Sequence, residues 1–157
     1  WVDRMGARLI NPAPVVRWNV HKSYLHDLDR EGVAVVPTEL VRRGSGRSLG
    51  DVLAARAWSH AVVKPAVSAA SFETRVVRAS ALDASLAAWF AGVLEARDML
   101  VQPYMDSVEG YGERALIWID GEVTHAIRKN PAANGKSDEK PEAPAGKKEK
   151  DRPKAQA

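Results

Sequence analysis

Apolar positions in the first 131 residues form short stretches broken by Gly, Pro, Asp and Ser, and helical and strand periods alternate along them. Tyr24, Leu25 and Leu28 recur at helical spacing and predict a helix over 22–30, closed by Gly32. Residues 33–38 read as a short apolar strand. A second helix is predicted over 48–58 with Ser48 as its N-cap, and strands over 61–65 and 74–78. Asp83 caps a longer predicted helix reaching about residue 97, with Leu86, Trp89, Phe90, Val93 and Leu94 on its apolar stripe. A strand follows over 99–104, then two more over 114–120 and 122–128, joined at Asp120-Gly121. That dipeptide favours a two-residue hairpin turn, so the last two strands run antiparallel. The fold class expected is therefore mixed α/β (α+β) with antiparallel sheets, and a purely parallel doubly wound sheet is excluded.

From Ala132 onward the pattern stops. Residues 132–157 contain no aromatic residue and no Val, Ile or Leu. Such a segment cannot bury enough apolar surface to offset the entropy of ordering, so it reads as a disordered C-terminal tail.

The charge follows the same division. The chain carries 23 basic and 20 acidic side chains, of which seven and five lie in the tail, leaving sixteen against fifteen in the body. The body is close to neutral and has no basic stripe, which argues against a nucleic-acid surface. No apolar run approaches the ~20 residues of a membrane span. The absence of cysteine excludes disulfides and thiolate metal sites and points to a reducing, cytoplasmic setting. The chain starts at Trp1 without a leader-like segment and reads as an excerpt of a longer protein.

Four places could carry chemistry. Lys64 ends an apolar strand and is followed by Pro65 and small residues through Ser68 to Ser71. It is either a strand-end lysine snorkelling to solvent or a cation that meets a phosphate, with backbone N–H groups approaching the same anion. Gln102, Pro103 and Tyr104 end another apolar strand. The proline removes one donor, and the adjacent carbonyls and next N–H would be left to read an adenine edge, unless this is an ordinary strand end. Residues 106–113 form a polar loop with two glycines and three carboxylates, Glu109 among them, and a carboxylate can accept from ribose hydroxyls. Arg128 and Lys129 sit side by side at a strand end, placed to meet phosphate oxygens. His21, His26, His60 and His125 show no metal-ligand spacing.

In order and spacing, these segments resemble the ATP-grasp ligases of the glutathione-synthetase-like kind, a group that includes ring-closing cyclo-ligases. The resemblance rests on Asn11-Pro12, Arg17-Trp18-Asn19-Val20-His21-Lys22-Ser23-Tyr24-Leu25, the 32–38 stretch, Val62-Val63-Lys64-Pro65-Ala66-Val67-Ser68-Ala69, Val101-Gln102-Pro103-Tyr104, Gly112-Glu113 and His125-Ala126-Ile127-Arg128-Lys129-Asn130-Pro131. It covers residues 1–131. It implies a lead-in over 1–32, a small ATP-binding subdomain over 33–100 and the first strands of a large subdomain over 101–131. It further implies that Lys22, Lys64 and Ser68 meet ATP phosphates, Gln102 and Tyr104 the adenine, and Glu109 the ribose. Arg128 and Lys129 would steady the γ-phosphate or an acyl-phosphate. The activity implied is ATP-dependent activation of a small carboxylate for attack by an amine, with Mg²⁺ as cofactor. Departures are plain: Ala69-Ala70-Ser71-Phe72 stands where glycines are common, and no residues match the family's metal ligands. The chain alone is accordingly expected not to turn over, with a nucleotide- or partner-binding module as the alternative. Self-association through an exposed sheet edge is expected as well.

Overall fold

In the computed structural model, the described residues are 9–69 and 72–129, with Glu109 and Lys129 described by their backbone alone. The tail over 132–157, Asn130-Pro131, residues 1–8 of the lead-in and the Ala70-Ser71 part of the small-residue loop lie outside them. The chain is mixed α/β and divides into two compact units, Trp1–Met105 and Asp106–Ala157.

The first unit is built on a four-stranded sheet: β1 (Glu39–Val41), β2 (His60–Pro65), β3 (Arg75–Arg78) and β4 (Met99–Pro103). Its order is β1-β4-β2-β3 and every pairing is antiparallel. The helices are α1 (Ala13–Val20), α2 (Tyr24–Arg30), α3 (Leu49–Ala55) and α4 (Ala84–Ala96). Alternation along the strands sends Val41, Ala61, Val63, Val77, Met99 and Val101 to one face, where they pack with Leu49, Val52 and Leu53 of α3 and Phe90 and Leu94 of α4. Leu86, Trp89 and Val93 of the predicted stripe border this core, half-buried.

Local signals fix the ends of these elements. Ser48 accepts from the Asp51 N–H at 3.0 Å and Asp83 from the Leu86 N–H at 2.8 Å, so both predicted N-caps form. After α2, Gly32 turns at φ +78°, while Val33 N–H reaches Leu28 O and Gly32 N–H reaches Asp29 O. These two bonds are the Schellman closure that favours glycine there. Glu39, at the start of β1, accepts from Arg47 at 2.5 Å and from Arg56 at 2.5 and 2.8 Å, tying the strand to both ends of α3.

The strand expected over 33–38 does not form; pairing starts at Glu39. Val33 N–H is spent on the helix closure, Pro37 has no N–H, and the Thr38 hydroxyl donates to Val36 O. The run therefore loses two of its six main-chain donors and one carbonyl before a ladder could use them. Helix α1 was not expected: it is short, buries no side chain and starts around Pro14, so no apolar stripe announces it.

The second unit holds α5 (Asp106–Tyr111) and the hairpin β5 (Glu113–Ile119) and β6 (Glu122–Lys129). The polar loop expected over 106–113 is for six residues helical, ended at Gly112 with φ +88°. Asp120 and Gly121 have φ of +50° and +87°, the signs of a type I′ turn. No helix among the described residues is long and apolar enough to cross a membrane.

Candidate functional site

The end of β2 is held from two sides. Ala66 N–H donates to Asp98 O at 2.9 Å, and Lys22 N–H donates to Ala66 O at 2.8 Å. This brings Lys22 over the segment that follows Lys64. Its ammonium donates to Ser68 O at 2.8 Å and to Ser68 Oγ at 3.2 Å, while Ser68 Oγ donates to Pro65 O at 3.2 Å. Two residues nominated from sequence 46 positions apart are thus joined. Burial holds the Lys22 ammonium below the ordinary lysine range, because losing water disfavours its charged form.

Asp98 organises the same corner. Its carboxylate accepts from the Arg43 N–H at 2.8 Å and from the Arg42 guanidinium at 2.8 Å, and lies 3.3 Å from His21 Nε2. Burial pulls this carboxyl upward, but the Arg43 and Arg42 hydrogen bonds outweigh it and the net shift is downward. A cavity of about 240 Å³ lined by His21, Arg43, Ala66, Arg97 and Asp98 flanks the segment.

Lys64 lies on the sheet face opposite α3 and α4. In register, Lys64 stands opposite Leu100 and Val62 opposite Gln102, so Lys64 and Gln102 share that face with Val62 and His60. Lys64 is half-buried and Gln102 is 7% exposed. The Gln102 amide donates to Thr38 Oγ1 at 2.7 Å, and Thr38 passes its own proton to Val36 O. The side chain expected at an adenine is therefore already engaged within the fold.

One expectation is overturned here. The N–H after Pro103 is not left over for a ligand: Tyr104 N–H donates to His60 O at 3.0 Å, extending the β2–β4 ladder by one rung. The Tyr104 ring stacks on His60, with centroids 4.1 Å apart and planes 23° from parallel. His60 Nε2 is buried and finds no hydrogen-bond partner among the described residues.

In the second unit, Arg128 of β6 faces Arg114 of β5 across the hairpin. Like charges directly opposite are unfavourable unless something lies between them. Tyr111 does: Arg114 donates to its hydroxyl through Nε at 3.0 Å and also through Nη2, and the Arg114 and Arg128 guanidinium carbons lie 4.7 and 5.3 Å from its ring centroid. Arg114's hydrogen bond holds the phenol below its ordinary range. Two guanidiniums on one face of a hairpin suit a phosphate or carboxylate. Sequence reading named Arg128 and missed Arg114. The turn alone would pair Arg114 with Ile127, and an irregularity between Ile117 and Trp118 shifts the register by one. Of Glu109 and Lys129 only the position is described, on α5 and at the end of β6.

Among the described residues, no three of His, Cys, Asp or Glu gather where they could hold one metal ion.

The chain thus belongs to the mixed α/β class with two antiparallel sheets, carrying half-buried lysines in one unit and paired arginines in the other. No protein-family model matches it. The cycloserine biosynthesis protein DcsG of Streptomyces lavendulae is 37% identical over 125 residues, which cover 78% of this chain and 42% of that protein. The crystal structure of D-cycloserine synthetase DcsG matches with a TM-score of 0.72 at 36% identity, covering 82% of this chain and 45% of that one. The two matches make the chain a homologue of DcsG that spans less than half of its length.

Proposed function

We propose that the chain is the nucleotide-binding part of an ATP-dependent ligase of the ATP-grasp kind, one that activates a small carboxylate as an acyl-phosphate for attack by an amine or related nucleophile. The observation that carries this is the 37% identity with DcsG across 78% of the chain, DcsG being a synthetase of cycloserine formation. The arrangement of cations agrees with it. Lys22 and Lys64 would neutralise ATP phosphate oxygens beside Ser68, with the Lys22 ammonium exchanging the Ser68 carbonyl for phosphate. Gln102 and Tyr104 would border the base, and Glu109 the ribose. Arg128 and Lys129, joined by Arg114, would hold the transferring or transferred phosphoryl group, where charge neutralisation is the main catalytic contribution. Among the described residues no three of His, Cys, Asp or Glu gather to hold Mg²⁺, so the phosphates themselves would supply part of its coordination.

Calorimetry of ATP with this chain, with and without Mg²⁺, tests the proposal. Binding that falls at least tenfold in Lys64→Ala is expected, since a charge-assisted bond to phosphate contributes about 1.5–3 kcal/mol. A folded chain that binds no ATP under either condition refutes it.

A further inference from the structure

Buried polar atoms in folded proteins are hydrogen-bonded, to protein or to ordered water, with few exceptions, and each unpartnered one calls for a physical account. Among the described residues, His60 Nε2 is such an atom. The rest of the residue is closely held. Its carbonyl accepts from Tyr104 N–H at 3.0 Å, and its ring lies under the Tyr104 ring at 4.1 Å. The main chain is thus fixed by the ladder and the imidazole by the Tyr104 stack, while Nε2 has no partner among the described residues. His60 begins β2 on the same sheet face as Val62, Lys64 and Gln102.

We infer that His60 is a base-recognition residue, its Nε2 reserved for the polar edge of a nucleotide's heteroaromatic ring, with Tyr104 holding the imidazole in place. The inference rests on the proposed nucleotide site and adds a residue that neither sequence spacing nor the strand-end segment had indicated. An imidazole nitrogen is a donor or an acceptor according to tautomer, and so meets either kind of group on a purine edge. Nε2 is closed to solvent in the unliganded chain, so the base reaches it through a local opening at the strand end. A site of this kind carries a signature: replacing the ring by an apolar one of similar shape removes an unsatisfied atom and does not destabilise the fold, yet it weakens the ligand.

The test uses the full chain with ATP and inorganic tripolyphosphate as probes, the latter lacking a base. His60→Phe is expected to melt at or above the wild-type temperature, to lose roughly tenfold in ATP affinity and to bind tripolyphosphate as the wild type does. ATP affinity unchanged in His60→Phe overturns the inference. Selective ¹⁵N labelling of histidine in the wild-type chain gives a reading that needs no variant: ATP should shift the His60 Nε2 resonance and tripolyphosphate should not. A resonance indifferent to ATP, in a chain that binds ATP, also overturns it. A wild-type chain that binds neither probe removes the nucleotide site itself, and that failure is separate from loss of base discrimination, in which both probes bind equally to wild type and variant.

Discussion

At the scale of single residues, charge is placed by pairing. Glu39 is 16% exposed at its side chain and answers two arginines that are themselves 40% and 47% exposed. Burial raises this carboxyl, the Arg47 and Arg56 bonds lower it more, and the net is downward; Asp98 behaves in the same way. A carboxyl lowered on folding adds stability above its unfolded value and loses it as pH falls through the folded one. Stability should therefore be complete above the ordinary values of 4.5 and 3.8 and decline below them. Urea unfolding at pH 6 and pH 3.5 checks this. Glu39→Gln should cost about 1–2 kcal/mol at pH 6, discounted for the half-exposed arginines, and less at the lower pH. Equal losses at both pH values would show that the ion pairs contribute nothing. The lysine at a strand end was readable from type and place alone, because an ammonium after an apolar run is uncommon. The engagement of Gln102 by Thr38 was not, since the two stand 64 positions apart.

Elements were legible where punctuation and period agreed. Ser48, Asp83, Gly32 and Asp120-Gly121 each mark a real boundary, because each supplies a specific local bond or a positive φ. An apolar run without such support misled: 33–38 has the composition of a strand, but Val33 spends its donor on the helix closure and Pro37 has none. β4 exposes the opposite limit. Four consecutive positions, Met99 to Gln102, are buried because the strand is interior to its sheet, and alternation cannot announce a polar residue covered from both sides. The hairpin gives the sharpest case. Thr124 takes up the extra place in β6, its hydroxyl donating to Ile117 O at 3.2 Å, and this bulge brings Arg128 rather than Ile127 opposite Arg114. Deleting Thr124 removes the extra residue, and the register of the turn then pairs Arg114 with Arg128 without a bulge. The deletion is therefore expected to keep binding of inorganic phosphate near the wild-type level, measured by calorimetry, where Arg128→Ala weakens it, while circular dichroism keeps the strand signal. Phosphate binding that falls to the level of Arg128→Ala in the deletion would mean that facing each other across the ladder is not enough, and that the pair needs the local twist of the bulge. For α4, Asp83→Ala should cost about 1 kcal/mol in urea unfolding, the usual value of a lost N-cap.

At the scale of the molecule, the two units differ in how well they cover themselves. The first has a core in which Phe90, Leu49, Met99 and Val101 are fully buried between sheet and helices, and Leu100 on the other sheet face is buried as well. The second is a two-stranded sheet, an arrangement that is marginal by itself in water. Its register puts Leu116 and Trp118 on the face that carries Arg114 and Arg128, with Ala126 and Val123 opposite them. Leu116 is 66% and Trp118 67% exposed, and Val123 on the same face is half exposed. A contiguous apolar surface of this kind marks an interaction face rather than an ordinary monomer surface. The chain by itself should then associate as concentration rises, through the hairpin, since β5 and β6 also present unpaired outer edges. Light scattering after size-exclusion chromatography is the measurement. Apparent mass should increase across the micromolar range and return toward the monomer in Trp118→Lys with Leu116→Lys, because a charge on each residue opposes the burial that association requires. The same variant should leave the melting temperature of the first unit unchanged, as neither residue belongs to its core. A wild-type chain that stays monomeric at every concentration would show that these side chains tolerate water, and that the apolar face of the hairpin needs no cover.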